Sequence, residues 1–222
     1  MKITIIGKGK MGKLLKKLCV QRGHVVCGIA CSKNPIENFK IVDTDVVIDF
    51  STPKSAFKNI IYVLDNDVPV VSGTTGWLNQ LDEVKKKCRQ KNGSFLHSPN
   101  FSIGMNLFFN LNCHIAKLIK KLNYQVAVNE THHTEKLDKP SGTAKKLAND
   151  LRNESGKNAK ISSKRIKNII GNHTINFNSE QDLIQIKHVA HNREGFAYGA
   201  IIAAEWIVNK KGFFSMKDVL KI

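Results

Sequence analysis

The stretch from residue 129 to residue 150, NETHHTEKLDKPSGTAKKLAND, contains side chains that could carry out acid-base chemistry. His132 can donate a proton near neutral pH, and Lys136 brings a positive charge close to it. Two other interpretations stay open, a metal site and a structural histidine pair. A metal site needs three or four converging ligands, whereas His132 and His133 are adjacent in a strand and point to opposite faces. We therefore predict no metal ligand in this stretch.

The same stretch continues into a helix at residues suited to bind an anion. Pro140 ends an irregular segment, and the helical pattern then opens with Ser141, Gly142 and Thr143. Their free backbone amides and two hydroxyls would form a pocket for a carboxylate. An acid-base histidine beside such a pocket suggests hydride transfer to a small anionic substrate, if a hydride donor binds elsewhere in the chain.

A glycine-rich turn near the N-terminus, IIGKGKMGKLL, predicts where that donor binds. Gly7, Gly9 and Gly12 form the pattern G-x-G-x-x-G directly after a strand and at the start of a helix. Gly7 permits the tight turn, Gly9 lets backbone amides approach a diphosphate, and Gly12 lets helix and strand pack closely. The predicted dinucleotide contacts of this turn are Gly7, Lys8, Gly9, Lys10, Met11 and Gly12. A purely structural glycine turn is the alternative.

The end of the second strand favours NADPH over NADH. Ser32 and Lys33 stand where an NAD-binding protein would carry an acid for the ribose hydroxyls, and they suit a 2′-phosphate better. An exposed lysine without a ligand is the alternative. Two further strand ends, DFSTP from Asp49 and SGTTGW from Ser72, would line the nicotinamide side, because ligands lie beyond the carboxyl ends of parallel strands. Simple turns with helix caps would explain both equally well.

Alternating apolar strands and single helices over the first hundred residues predict a parallel sheet covered on both faces. From residue 104 the pattern changes to a mixed or antiparallel sheet with helices on one side. Its first helix is amphipathic, and the predicted apolar stripe consists of Phe108, Leu111, Ile115, Leu118 and Leu122. A last apolar helix from Glu194 would pack on the first domain. The fold class is therefore α/β, with a Rossmann-like parallel sheet followed by an α+β domain.

Composition limits the function without identifying it. The 222 residues carry a net charge of +17, but the charge is mostly lysine spread along the chain, so a solvated surface or attraction of anionic small molecules explains it better than nucleic-acid binding. The five cysteines lack a metal-binding spacing and indicate reduced core thiols. No apolar run reaches membrane-spanning length, and the first apolar run ends at Gly7, so we expect a cytoplasmic protein.

The motif E-x-HH-x-x-K-x-D-x-PSGTA, from Glu130 onward, resembles the signature of the 4-hydroxy-tetrahydrodipicolinate reductase (dihydrodipicolinate reductase) family of diaminopimelate and lysine synthesis. The resemblance continues, in order, through GKGKMG, VVIDFSTP, SGTTGW, SPNFSIGMN and HNREGFAYGA, and so covers nearly the whole chain. It implies a dinucleotide-binding domain over residues 1–103, completed by residues 194–222, and a substrate-binding and oligomerisation domain over residues 104–193. It also implies use of NADPH or NADH, a dicarboxylate substrate and a homotetramer.

The resemblance further implies roles for individual residues. His132 matches the family's proposed acid, and Lys136 the residue that stabilises charge developing on the substrate. His133, Ser141, Gly142 and Thr143 match the positions that bind the substrate carboxylates. Gly7, Met11, Gly12, Gly73 and Thr75 match cofactor contacts, and Thr74 lies between the last two. The segment that touches the nicotinamide corresponds to Ser98, Pro99, Asn100, Phe101 and Ser102.

The chain departs from the family pattern at a few positions. Lys139 stands where the family has a small residue, beside the expected carboxylate pocket. Lys167 replaces a glycine in the stretch RIKNIIGNH, and the chain is short before Arg165. The competing hypotheses are another small-acid or amino-acid dehydrogenase on the same plan, a dinucleotide-binding protein without activity, and a basic nucleic-acid-binding protein.

Overall fold

The computed structural model describes every residue from Met1 to Ile222. Contacts between Cα atoms divide the chain into two compact units. Unit 1 combines Met1–Ile103 with Glu194–Ile222, and unit 2 is Gly104–Arg193. Each unit has a sheet and a hydrophobic core of its own.

Unit 1 contains a six-stranded sheet in which every neighbouring pair is parallel. Its strands are β1 Lys2–Ile6, β2 Val25–Ala30, β3 Val46–Asp49, β4 Val70–Ser72, β5 Ser94–His97 and, late in the chain, β10 Gly212–Phe214. They lie in the order β10-β5-β4-β3-β1-β2. Since β1 and β3 are adjacent and parallel, the turns that follow them lie side by side at the carboxyl edge of the sheet, where ligands bind in such folds.

Helices cover both faces of this sheet, as its almost entirely apolar strands require. The helices of unit 1 are α1 Lys10–Gln21, α2 Pro53–Asp65, α3 Leu81–Gln90, α6 Glu194–Ile207 and α7 Met216–Leu220. On one face Ile5 and Ile48 pack with Ala200 and Ala204 of α6, and on the other face Val47 packs with Ile60 of α2. The predicted parallel sheet covered on both faces is thereby confirmed.

The end of unit 1 was incompletely predicted. Glu194 does begin a helix, but it is not the last element, because β10 and α7 follow it. The strand has three residues only, and its backbone pairs with β5 from Gly212 to Phe214. Such a short strand has no recognisable alternation, so periodicity could not reveal it.

Unit 2 contains a mixed four-stranded sheet with two helices on one face. The strands are β6 Gln125–His132, β7 Lys160–Arg165, β8 Gly171–Asn178 and β9 Leu183–Ala190, and the helices are α4 Ile103–Leu118 and α5 Gly142–Ser155. The strand order is β7-β6-β8-β9, with β6 and β7 parallel and the other two pairs antiparallel. The predicted mixed sheet with helices on one side is confirmed, although the strand β7 was not predicted.

The predicted apolar stripe of α4 was wrong in most of its members. Phe108 is buried, but Leu111 and Leu118 are exposed, and Leu122 lies beyond the helix and is exposed too. The buried face is formed by Met105, Phe108, Phe109, Asn112, Ala116 and, just after the helix, Ile119. This face was missed because it contains Asn112, whose buried side-chain amide donates a hydrogen bond to the carbonyl of Leu147 in α5.

Candidate functional site

The glycine turn after β1 has the geometry that dinucleotide binding requires. Gly7 has φ of +111°, and a Cβ atom there would overlap the carbonyl oxygen of Phe50. A Cβ atom on Gly12 would overlap the carbonyl oxygen of Gly7, so this glycine permits the close packing of α1 on β1. Around Gly9, by contrast, a Cβ atom would meet open space. Its backbone is therefore accessible to a ligand, as expected of the residue beside a diphosphate.

Two cavities at the carboxyl edge of the unit 1 sheet contain most of the predicted cofactor residues. The larger, of about 520 Å³, is lined by Gly7, Lys8, Gly9 and Ser32, together with Glu37, Phe50, Ser51 and Lys58 among others. The smaller, of about 350 Å³, is lined by Gly9, Lys10, Met11, Phe50, Ser51, Pro53, Gly73, Thr74 and Thr75. Gly9, Phe50 and Ser51 line both cavities, so the pair can accommodate an extended ligand over the turn. The residues present thus fit a dinucleotide.

Some predicted cofactor residues lie outside these cavity walls. Gly12 is buried beneath the turn, and Lys33 is exposed beside Ser32. The segment Ser98, Pro99, Asn100 and Phe101 follows β5 at the same edge of the sheet but is largely engaged internally. The Ser98 hydroxyl donates to the carbonyl of Asn100 at 2.7 Å, and the Phe101 ring packs 5.7 Å from the Phe50 ring.

A buried carboxylate in the DFSTP stretch, with no role predicted from the sequence, organises the smaller cavity. Asp49, at the end of β3, has no exposed surface. It accepts hydrogen bonds from the Ser51 amide at 3.2 Å, the Ser72 hydroxyl at 2.8 Å and the Thr74 hydroxyl at 2.9 Å. Burial raises the pKa of Asp49, and these hydrogen bonds oppose the rise without cancelling it. Asp49 therefore connects two turns that line the smaller cavity.

In unit 2 the strand β6 carries Glu130 and His132 on the same face, because side chains two residues apart point the same way. Both side chains are buried, and Nδ1 of His132 lies 3.3 Å from Oε2 of Glu130. Burial lowers the pKa of His132 below its ordinary value, and the positive charges of Lys136 and Arg165 lower it further, whereas Glu130 opposes this shift. Near neutral pH the imidazole is therefore mostly neutral in this state of the protein.

The loop after β6 holds Lys136 close to this histidine through two other residues. Nζ of Lys136 lies 2.7 Å from Oδ1 of Asp138, whose pKa is held below its ordinary value chiefly by that contact. The Arg165 guanidinium, at the end of β7, donates to the carbonyls of Lys136 (3.2 Å) and Asp138. His133 is half-buried, with Nδ1 unpaired. Arg165 thus fastens the lysine-bearing loop to the sheet.

The start of α5 directs its first amides as an anion site would, but those of Ser141 and Gly142 already donate to carboxylates of the chain itself. The Ser141 side chain caps the helix by accepting a hydrogen bond from the Ala144 amide at 3.1 Å. Its hydroxyl and its amide both donate to Glu130, the amide at 3.0 Å. The Gly142 amide donates to Oδ2 of Asp138 at 3.3 Å, so a substrate carboxylate there would have to displace Asp138, and Thr143 is half-buried. Any substrate contact of the Ser141 hydroxyl would have to compete with Glu130.

Three side chains here have the composition of a metal site, but their surroundings oppose one. Donor atoms of Glu130, His132 and His173 lie within 4.8 Å of one another. However, Ser141 donates to both oxygens of Glu130, and the Arg165 guanidinium lies 3.4 Å from Oε1. A cation would have to displace the hydroxyl of Ser141 while close to a positive charge. The arrangement favours acid-base chemistry over metal binding.

Three residues of this site had no role predicted from the sequence, namely Glu130, Arg165 and His173. Glu130 was detectable, since a glutamate two residues before a functional histidine in a strand shares its face. Arg165 and His173 reach the site through the pairing of β7 and β8 with β6, where Arg165 stands opposite His132 and His173 opposite Glu130. No local spacing encodes that register.

The two unusual lysines have modest structural consequences. Lys139 is exposed and precedes a cis bond to Pro140. Lys167 lies in the turn between β7 and β8, where the left-handed backbone is adopted by Asn168, with φ of +67°. The glycine that Lys167 replaces is therefore not required for a positive φ in this chain.

Comparisons with known protein families agree with the resemblance. The family model described as "Dihydrodipicolinate reductase, N-terminus" matches residues 1–101, and that described as "Dihydrodipicolinate reductase, C-terminus" matches residues 104–220. Together they account for nearly the whole chain. No helix of the protein combines the length and the apolar character needed to span a membrane.

Individual relatives and solved structures give the same result. The chain is 40% identical to a 4-hydroxy-tetrahydrodipicolinate reductase of Christiangramia forsetii, over 99% of this chain and 98% of that protein. It is 37% identical to the enzyme of the same name from Thermosipho africanus, over 100% and 98%. A dipicolinate-bound dihydrodipicolinate reductase from a Paenisporosarcina species shares the fold, with a TM-score of 0.85, 24% identity and 98% coverage of both chains. The chain belongs to the dihydrodipicolinate reductase family.

Proposed function

We propose that this chain reduces 4-hydroxy-tetrahydrodipicolinate to tetrahydrodipicolinate in diaminopimelate and lysine biosynthesis, with NAD(P)H as the reductant. The reaction adds a hydride and a proton to the substrate ring and releases water. The observation that carries the proposal is the buried His132, which lies beside the Glu130 carboxylate and feels the charge of Lys136. Full-length relatives named for this reaction support it.

The proposed cofactor site is the carboxyl edge of the unit 1 sheet. The turn from Gly7 to Gly12 would hold the diphosphate, and Gly73, Thr74 and Thr75 would face the nicotinamide half, as would residues 98–101. When bound, the cofactor supplies the hydride. The chain's own contribution is to hold these turns in place, which Asp49 does through Ser51 and Thr74.

The proposed substrate site is the His132 region of unit 2. The amides of Gly142 and Thr143, with His133 and Ser141, would bind the substrate carboxylates, and Lys136 would stabilise negative charge that develops during the reaction. Because burial lowers the pKa of His132, an anionic substrate that binds nearby would raise it again and favour a protonated imidazole. His132 would then donate its proton to the substrate. A relative that binds the dicarboxylate dipicolinate supports this substrate class.

NADPH is the proposed preferred cofactor. Ser32 lines the larger cavity and Lys33 adjoins it, so a 2′-phosphate there would meet a hydroxyl and a positive charge. Glu37 also lines this cavity, but Nζ of Lys58 lies 2.7 Å from its carboxylate and offsets its charge. A 2′-phosphate would therefore not face an uncompensated acid.

A coupled assay tests the activity and the cofactor preference together. Aspartate semialdehyde, pyruvate and the preceding synthase generate the substrate, and cofactor oxidation is followed by absorbance. We expect oxidation well above the synthase-only control, with a higher kcat/KM for NADPH than for NADH. The absence of oxidation with either cofactor would refute the proposed activity, whereas a preference for NADH would refute only the assignment of Ser32 and Lys33.

We also propose that the chain forms a homotetramer through unit 2. Both helices of this unit lie on one face of its sheet, so Asn172, Thr174, Asn176 and Val189 line the other face without a covering layer. The half-exposed Asn172, Thr174 and Asn176 of the inner strand β8 are uncharged and suit burial against a second copy, with Lys187 of the edge strand β9 at the periphery. Analytical ultracentrifugation should give the mass of four chains, and a monomer would contradict this.

A cytoplasmic location stays a prediction, which cell fractionation would test.

A further inference from the structure

Glu130 connects more parts of the unit 2 site than any residue that the sequence predicted. Its side chain is 2% exposed, yet both carboxylate oxygens have partners. Oε1 accepts a hydrogen bond from the Ser141 amide at 3.0 Å, and Oε2 accepts one from the Ser141 hydroxyl. The Arg165 guanidinium lies 3.4 Å from Oε1. A buried carboxylate with this many donors has a defined position as well as a compensated charge.

Through Ser141, Glu130 fixes the beginning of α5. The hydroxyl that donates to Glu130 also accepts the capping hydrogen bond from the Ala144 amide. Glu130 thereby sets the orientation of the first turn of α5, where the amides of Gly142 and Thr143 would receive a substrate carboxylate.

The same carboxylate also lies against two imidazoles. Oε2 is 3.3 Å from Nδ1 of His132 and 3.8 Å from Nε2 of His173, and both contacts are electrostatic, since neither nitrogen has a hydrogen-bond partner. The two rings meet edge to face at 5.0 Å between centroids. Gly171 leaves room for this arrangement, since a Cβ atom there would stand only 3.1 Å from Nε2 of His132. The His132 ring is thus confined between a carboxylate, a second ring and a glycine backbone.

We propose that Glu130 is a positioning residue whose single buried carboxylate fixes both the His132 imidazole and the carboxylate-binding start of α5. The role rests on the proposed function, because it serves the acid assigned there. Glu130 itself need not touch the substrate. Its negative charge stabilises the imidazolium form of His132, and its hydrogen bonds hold the first turn of α5 in register with that ring.

The charges around His132 allow this role to be tested by the direction in which the His132 pKa shifts when one of them is removed. Arg165 from β7 and Lys136 from the following loop disfavour the imidazolium, whereas Glu130 on the same strand and Asp138 in the loop favour it. His173 from β8 is neutral near pH 7, since burial and His132 lower its pKa to about 4. Removal of the Glu130 charge should therefore lower the pKa of His132, and removal of the Arg165 charge should raise it.

The decisive experiment is an NMR titration of the histidine ring resonances in the full chain, with Glu130→Gln and Arg165→Met compared with wild type. We expect the His132 pKa to fall by about one unit or more in Glu130→Gln and to rise in Arg165→Met. Glu130→Asp keeps the charge, so its shift should be less than half as large. Equal pKa values in all four proteins, or shifts of the same sign in Glu130→Gln and Arg165→Met, would overturn the proposal.

The turnover of the same proteins separates positioning from a purely structural role. In Glu130→Gln the decline of kcat with rising pH should move to lower pH by about the same one unit, and the KM for the dicarboxylate should rise, with the KM for NADPH unchanged. The position of this decline does not depend on how much of the protein is folded. A profile of lower amplitude but unchanged position would overturn the proposal. If the wild type lacks activity, the proposed function fails, while the NMR titration still decides the role of Glu130.

If Glu130→Gln does not fold, the opposite shift in Arg165→Met and the small shift in Glu130→Asp remain measurable. A rise in the His132 pKa for Arg165→Met, with Glu130→Asp close to wild type, is the expected result. A fall in Arg165→Met, or a shift of about one unit or more in Glu130→Asp, would overturn the proposal.

Discussion

Each unit buries one carboxylate near the end of a strand, and the two are held in opposite ways. Asp49 in unit 1 is surrounded by two hydroxyls and an amide, and burial raises its pKa. Glu130 in unit 2 has a guanidinium and two imidazoles beside it as well as Ser141, and although burial acts to raise its pKa, its hydrogen bonds outweigh this and hold the pKa below the ordinary value.

The difference shows what each carboxylate does. Asp49 joins two turns by accepting hydrogen bonds from neutral donors. Burial of its charge is unfavourable, and these hydrogen bonds partly offset that effect. The charge of Glu130 interacts with residues that themselves titrate or carry charge, so it affects the protonation of its neighbours. A buried acid among neutral groups organises backbone, whereas one among histidines and an arginine can also adjust acid-base chemistry.

The largest effect is expected from removing a charge of the unit 2 site while unit 1 is left intact. Lys136→Met should lower turnover by about 100-fold or more, because the lysine would stabilise charge in the transition state. NADPH affinity, measured by fluorescence titration, should stay the same, since the proposed cofactor site lies in unit 1. Lys120→Met is the matched control, an exposed lysine of unit 2 after α4, and it should retain wild-type turnover. Equal losses in both variants would contradict the assigned role.

Replacement of each carboxylate by the corresponding amide should affect the free energy of unfolding differently in the two units. Glu130→Gln leaves the Arg165 guanidinium without its carboxylate and should destabilise unit 2 by about 3 kcal/mol. Asp49→Asn removes a charge that burial disfavours and should change the stability of unit 1 by less than about 1 kcal/mol at pH 7. Hydrogen exchange of the slowest amides of β6 and β3 measures each unit separately. A larger loss for Asp49→Asn would reverse the comparison.

A smaller effect should follow from crowding the His132 ring without changing any charge. In Gly171→Ala the new methyl group would lie 3.1 Å from Nε2 of His132, so the ring must move by a few tenths of an ångström. We expect kcat to fall by about tenfold, since catalytic groups tolerate little displacement. Gly195→Ala, where a Cβ atom meets no neighbour within 4 Å, should keep full activity. Full activity in Gly171→Ala would show that the ring position is not critical.

The smallest effect is a pH dependence of the stability of unit 2. His173 has a folded-state pKa of about 4, below that of an unfolded histidine, so the unfolded chain binds more protons and stability falls as pH decreases. Between pH 7 and pH 5.5 this residue should contribute a loss of about 1 kcal/mol. The loss is measured by hydrogen exchange of β8 amides at both pH values. Its persistence in His173→Gln would assign the effect to other groups, such as His132.

These two regions also differ in how much the sequence reveals. The turn around Gly7 and Gly12 could be read locally, since the steric needs of neighbouring elements fix both glycines. The His132 to Thr143 segment could be read locally as well. Arg165 and His173 could not, because their place opposite His132 and Glu130 depends on strand register. The buried face of α4 was missed for a related reason, since the partner of Asn112 is a backbone carbonyl of another helix.

The central claim is that unit 2 carries the acid of the reaction at His132, and its most direct test compares wild type with His132→Gln in the coupled assay at saturating NADPH. We predict NADPH oxidation well above the synthase-only control for the wild type. For His132→Gln we predict a turnover lower by about 100-fold or more, with unchanged NADPH affinity. A His132→Gln protein with wild-type turnover, or a wild type without turnover, would contradict the account.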